Sequence, residues 1–114
     1  DRVRLWGKLD SVIKPLLESS VYVLSSRYEG FPTCVTEAYE VGLPVIAFNI
    51  PAMIPLSRNG EAVLVEAYNV EALAKQMLVL ANDDSRRIEM SKKALAMAES
   101  LDVNQIVARW KDIL

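Results

Sequence analysis

Residues 21–48 read VYVLSSRYEGFPTCVTEAYEVGLPVIAF, and their pattern decides the fold. Val21-Tyr22-Val23-Leu24 is apolar without alternation, the character of a strand buried on both faces. Val45-Ile46-Ala47-Phe48 repeats it. Between them, from about Pro32 to Glu40, Val35, Ala38 and Tyr39 follow helical spacing. Pro32 suits a first helical position and Gly42 the position just past a helix end. Two parallel strands need a crossover of this kind, because a tight turn cannot join them.

The pattern continues outward. Val3-Arg4-Leu5-Trp6, closed by Gly7, reads as an earlier strand. Asp10 or Ser11 can cap a helix through Val12, Ile13, Leu16 and Leu17, with Pro15 harmless near its start. Ala62–Val65 reads as a further strand after an Asn59-Gly60 turn, with residues 49–61 a loop. From Val70 onward the chain is helical. Asn69 caps a helix that turns Leu73, Met77, Leu78 and Leu80 to the core. Asp83 and Asp84 open a second, carrying Ile88, Met90, Leu95 and Met97. Asp102 or Asn104 opens the last, with an apolar stripe of Ile106, Val107, Trp110, Ile113 and Leu114. The order β-α-β-α-β-loop-β-α-α-α predicts an α/β fold over residues 1–114: a Rossmann-like parallel sheet of about four strands with helices on both faces.

Composition narrows the function. With 114 residues, 52% hydrophobic, 25% charged and a net charge of −2, the chain is a single globular domain. The 15 acidic residues outnumber the 13 basic ones, which argues against nucleic acid as a partner. One cysteine and no histidine exclude an internal disulfide, a nitrogen- or sulfur-ligated zinc site and histidine-dependent nucleophilic catalysis. The most apolar stretch, residues 41–56, is interrupted by Asn49 and three prolines and is too short to span a membrane. A start without Met, on an expected strand, reads as a piece cut from a longer protein.

In open parallel sheets ligands bind beyond the carboxyl ends of the strands. There the loop 25–31 leads into a helix whose first amides, expected to be those of Thr33, Cys34 and Val35, suit an anion such as phosphate. Gly30 allows close approach. Glu29 lies just before that helix start and Glu37 about 7–8 Å along it at 1.5 Å per residue. Carboxylates accept hydrogen bonds from vicinal hydroxyls, so a ligand with hydroxyls at both ends and a diphosphate between, a nucleotide sugar, fits the spacing. Plainer readings stand beside it. A glutamate in a first turn is commonly a dipole contribution. Arg27 suits a surface residue or ion-pair partner, Tyr28 and Tyr39 suit packing, and Cys34 suits a small helix residue.

Residues 26–38, SRYEGFPTCVTEA, followed by Gly42-Leu43-Pro44-Val45-Ile46-Ala47, closely resemble the donor-site signature of retaining GT-B glycosyltransferases of the group 1 type (family 4). Two glutamates separated by seven residues, Gly-Phe after the first, Ala after the second and then Gly-x-Pro-Val-Ile-Ala all stand here. Val3–Gly7, residues 70–74 and residues 107–110 resemble flanking elements of the same domain. The resemblance implies that Glu29, with Gly30 and Phe31, contacts the donor sugar, that Glu37 holds the ribose, and that the amides of Thr33, Cys34 and Val35 cradle the diphosphate. Gly7 and Lys8 fall where the base is often bound. It implies sugar transfer with retention, with no cofactor and no metal, by two Rossmann-like domains facing a cleft. The diphosphate-neutralising cations, the acceptor-binding domain and its catalytic histidine lie upstream of residue 1, so no catalytic residue is expected in this chain, and the isolated chain is expected to be inactive. Carboxylates without those cations disfavour a dianion.

The usual setting implied is bacterial polysaccharide or glycoconjugate synthesis in the cytoplasm, with peripheral association at the inner membrane face. The last helix is expected to pack on its own domain or to join a dimer. Two departures stand out: residues 51–56 lack the family's Gly-rich acidic segment, and Ala62 stands where glycine is common. A non-catalytic α/β module and a GT-B-like nucleotide-sugar epimerase are the alternatives.

Overall fold

The computed structural model describes residues 2–113, the side chains of Gln105 and Arg109 aside. Three parallel strands, β1 (Tyr22–Leu24), β2 (Val45–Phe48) and β3 (Ala62–Val65), lie in the order β1-β2-β3, with Leu24 beside Ala47 and Phe48 beside Val65. Flanking them are α1 (Ile13–Leu17), α2 (Thr33–Glu40), α3 (Val70–Ala81), α4 (Asp84–Ser100) and α5 (Val103–Ile113). The α/β class and its parallel sheet are those expected; the strand count is three.

The segment 3–6 is the strand that does not form. It pairs with neither sheet edge, and Val3 and Leu5 are 79% and 92% exposed. A strand exists only through its ladder partner, and Trp6 instead carries the Arg4 guanidinium over its ring at 4.0 Å. Central β2 is buried throughout, whereas the edge strands β1 and β3 are buried only in part. The connection 49–61 is more ordered than a plain loop. Pro51–Leu56 forms a 3-10 helix that buries Met53 and Leu56, and Tyr39 Oη on α2 donates to the Leu56 carbonyl at 2.6 Å. Both crossovers advance the same way across the sheet, so right-handed connection lays α2 and this helix on one face, as that bond requires.

Asn69 caps α3 by accepting the Ala72 amide, and Asp83 caps α4 by accepting that of Arg86. Ser11 Oγ accepts the Ile13 amide at the start of α1. The predicted core faces of the helices need correction. On α3, Leu73 and Leu80 are buried but Met77 and Leu78 are exposed; on α4, Met90 and Ala94 are buried while Ile88 and Leu95 are exposed. Leu78 stands five residues on from Leu73, which turns it to the far side at 3.6 residues per turn. The apolar residues of α5, Val103, Ile106, Val107, Trp110 and Ile113, are exposed, so it does not complete this domain's core; Leu114 lies outside the described residues. Among the described residues no helix is long and apolar enough to cross a membrane.

α2 ends where expected. Gly42 has φ +76°, and a Cβ there would stand 2.8 Å from Ser91 Oγ on α4. Position 42 therefore needs glycine for its backbone and for close helix packing. Gly42→Ala is expected to cost about 1 kcal/mol or more; a urea-unfolding midpoint equal to that of the parent chain would contradict this.

Candidate functional site

The carboxyl ends of the three strands form one rim, from which the loop 25–31 leads into α2. Ser26 Oγ donates to Glu29 Oε1 at 2.8 Å, fixing that half-buried carboxylate. Gly30 is exposed, its φ is not positive, and a Cβ there would meet nothing within 4 Å. Phe31 is 59% exposed. Pro32, at φ −79° and ψ 83°, takes the cap position rather than the first helical position, and Thr33 N–H closes back on the Phe31 carbonyl at 2.9 Å. That is an inverse γ-turn.

The turn changes the amide inventory. Thr33 N–H is held by Phe31, and Val35 N–H donates to the Pro32 carbonyl at 3.0 Å. Of the three amides expected to be free, Cys34 N–H alone has no backbone partner among the described residues. The γ-turn satisfies an orphan donor of the helix start that a bound anion would otherwise take.

Glu37 lies half-buried on α2. Tyr22, whose local sequence marks only a strand, also responds to the site's charges. Burial first, then a hydrogen bond with Cys34, then the charges of Cys34, Glu29 and Glu37 push its phenol well above the ordinary tyrosine range. Both glutamates thus act on one hydroxyl beside the start of α2. Gly7, at φ +68°, and Lys8 lie exposed in the irregular segment before α1, and no hydrogen bond or ion pair among the described residues ties either to the rim. On the far side of the rim, the Arg27 guanidinium sits 5.1 Å over the Tyr68 ring, which meets Phe48 edge-on. A cavity of about 790 Å³ lies elsewhere, between α2 and the α4–α5 junction, with Phe31, Thr36, Leu95 and Ile106 in its wall but not Glu29 or Glu37.

At the amino end of β3, away from the rim, Glu61 is fully buried. Its Oε1 accepts the Asn59 amide, and Oε2 has no partner among the described residues. Burial, then the Glu61 charge, raises the Tyr39 phenol.

A parallel sheet with helical crossovers, whose loop 25–31 leaves the carboxyl end of β1, is the Rossmann-like arrangement found in GT-B enzymes. The crystal structure of TarM superposes with a TM-score of 0.73 at 28% identity, over 87% of this chain and 20% of that one. The model of the family described as glycosyl transferases group 1 matches residues 1–97, and the chain belongs to that family. An uncharacterized glycosyltransferase of Haemophilus influenzae is 36% identical over 100 residues, covering 84% of this chain and 28% of the relative. A GDP-mannose:cellobiosyl-diphosphopolyprenol alpha-mannosyltransferase of Xanthomonas oryzae is 34% identical over 101 residues, covering 83% and 26%. The chain therefore spans less than a third of each of these proteins.

The two raised phenols set an alkaline limit. Below pH 10, the ordinary tyrosine value, folded and unfolded chains both keep these protons. Above it the unfolded chain ionises first, so stability falls as pH rises. Urea midpoints are expected to drop between pH 9 and pH 11, and Tyr39→Phe is expected to flatten the drop while costing about 1 kcal/mol at neutral pH through the unpaired Leu56 carbonyl. An unchanged slope in that variant would refute the assignment.

Proposed function

We propose that the chain is the donor-binding part of a longer glycosyltransferase, which moves a sugar from a nucleotide diphosphate sugar to an acceptor with retention at the anomeric carbon. The observation that carries this is the placement of two half-buried carboxylates about the start of α2, Glu29 fixed by Ser26 in the loop before it and Glu37 on the helix itself. In this reading Glu29, with Gly30 and Phe31, takes the sugar hydroxyls and Glu37 the ribose. Cys34 N–H takes the diphosphate, and the γ-turn opens on binding to release Thr33 N–H. Gly30 supports it: the fold demands neither a positive φ nor space there, which leaves close approach of a ligand as its use.

The reaction itself needs groups from outside this chain. Residues upstream of residue 1 supply the cations for the diphosphate, a second domain supplies the acceptor site, and the exposed stripe of α5 packs against that domain. No metal or cofactor is called for. The Xanthomonas relative is named for a GDP-mannose donor and a diphosphopolyprenol acceptor, which supports a polyprenol-linked or polymeric acceptor and work at the inner face of the membrane.

A backbone-amide NMR titration of the chain with UDP, GDP and ADP at millimolar levels tests the donor site. One nucleotide is expected to shift residues 30–37, with the largest change at Thr33 and Cys34. Glu37→Ala is expected to weaken that binding about tenfold by removing hydrogen bonds to a charged acceptor. Silence with all three nucleotides, both in this chain and in the longer protein that carries the upstream cations, would reject the donor reading.

A further inference from the structure

Arg27, Tyr68 and Phe48 form a stack across the carboxyl ends of all three strands. Arg27 lies three residues past β1, Phe48 ends β2, and Tyr68 lies three residues past β3. The Arg27 guanidinium carbon stands 5.1 Å from the Tyr68 ring centroid, and Tyr68 meets Phe48 with centroids 6.0 Å apart at 73°. Phe48 is buried and Arg27 exposed, so the stack is rooted in the core and ends in solvent.

Two features set it apart from ordinary surface packing. Among the described residues Tyr68 is the one non-glycine with positive φ, +68°. Side chains with a Cβ are strained there, and glycine is not. An aromatic residue thus stands where the backbone favours glycine, and its ring contacts are the Phe48 edge and the Arg27 cation. Arg27, moreover, has no carboxylate partner among the described residues, whose ion pairs are Arg87–Asp84 and Lys93–Glu89. The neighbouring carboxylates are otherwise engaged: Glu29 accepts from Ser26 at 2.8 Å, and Glu66 from the Asn69 side chain at 3.2 Å. A guanidinium steadied over an aromatic ring keeps its planar fork of N–H donors for an incoming anion. That fork matches phosphate oxygens two at a time.

We infer that Arg27, braced by Tyr68, is a phosphate-binding subsite of the rim, separate from the first turn of α2, and that it takes a phosphate ester carried by the acceptor. The acceptor assignment rests on the donor-domain reading above. The diphosphate of a donor held at Cys34 lies at the turn after β1, whereas the Tyr68 brace comes from beyond β3. A cation so placed is available to a second anionic molecule.

The test is an NMR titration of the chain with glycerol 3-phosphate at fixed ionic strength, alone and with whichever of UDP, GDP or ADP binds. Shifts are expected at the Arg27 side-chain N–H and the Tyr68 amide, and they should persist when the nucleotide is saturating. Arg27→Ala, a change at an exposed side chain, should weaken glycerol 3-phosphate binding about tenfold, the loss of a charge-assisted pair. Arg27→Lys should recover only part of it. Tyr68→Gly, which keeps the positive φ without strain, should weaken binding as well. The subsite is overturned if Arg27 does not respond, if the nucleotide displaces glycerol 3-phosphate, or if Tyr68→Gly binds it as the parent does. If no nucleotide binds this chain or the longer protein but Arg27 still responds, the donor reading fails and the phosphate subsite stands.

Discussion

The complete burial of β2 is the constraint on which the rest of the structure depends. Val45, Ile46, Ala47 and Phe48 leave almost no surface to solvent, so every backbone donor and acceptor of the strand must be satisfied within the sheet. Two parallel neighbours do this, and each needs a crossover. α2 supplies one and the 3-10 helix Pro51–Leu56 lies within the other, with Tyr39 fastening the two together. Parallel pairing also brings the carboxyl ends of all three strands to the same side. Glu29, Phe48 and Tyr68 share a rim because both neighbours of β2 pair with it in parallel.

How legible these parts were follows from the range of the forces that make them. Strands and helices marked by local pattern stand where the sequence placed them: β1 to β3, α2 with Gly42 past its end, and α3 and α4 with Asn69 and Asp83 as caps. What depends on a distant partner was harder to see. Residues 3–6 have strand composition but no ladder to join. Met77, Leu78, Ile88 and Leu95 are apolar at roughly helical spacing, yet which side of a helix is covered depends on where its neighbours lie. Glu61 is fully buried though nothing in its local sequence says so. Residues 51–56 carry two prolines and no Gly-rich signature, and they resolve into a 3-10 helix because Met53 and Leu56 have a core to enter.

The site divides along the same line. Glu29 and Glu37 are legible from their spacing, and the family match supports the signature that contains them. The raised phenol of Tyr22, set by burial, by Cys34 and by the charges of both glutamates, is a tertiary effect, invisible in a strand that reads as four apolar-type residues. Two of the three amides, those of Thr33 and Val35, have backbone partners for a local reason. Proline at position 32 has no N–H and a fixed φ, and here its geometry folds Thr33 N–H onto the Phe31 carbonyl instead of leaving it outward. A first turn counted from helix ends alone overstates what it can offer an anion.

Two residues of the rim have the wrong size for the backbone they occupy. Gly30 has room for a Cβ and no need of positive φ, so the folded chain gains nothing from glycine there and loses unfolded-state restriction by having it. Tyr68 has positive φ and carries a large side chain where glycine would be relaxed. Glycine at position 30 is not explained by the stability of this domain, whereas at Tyr68 the ring's contacts with Phe48 and Arg27 offset the cost of its backbone. Both fall at the carboxyl edge of the sheet, where α/β folds bind their ligands. Elsewhere Gly42 and Gly60 stand at positive φ, as folding alone would have it. The two departures from local preference differ in kind: at Gly30 open space stands where the fold would admit a side chain, and at Tyr68 contacts with Phe48 and Arg27 hold a backbone that glycine would adopt without strain.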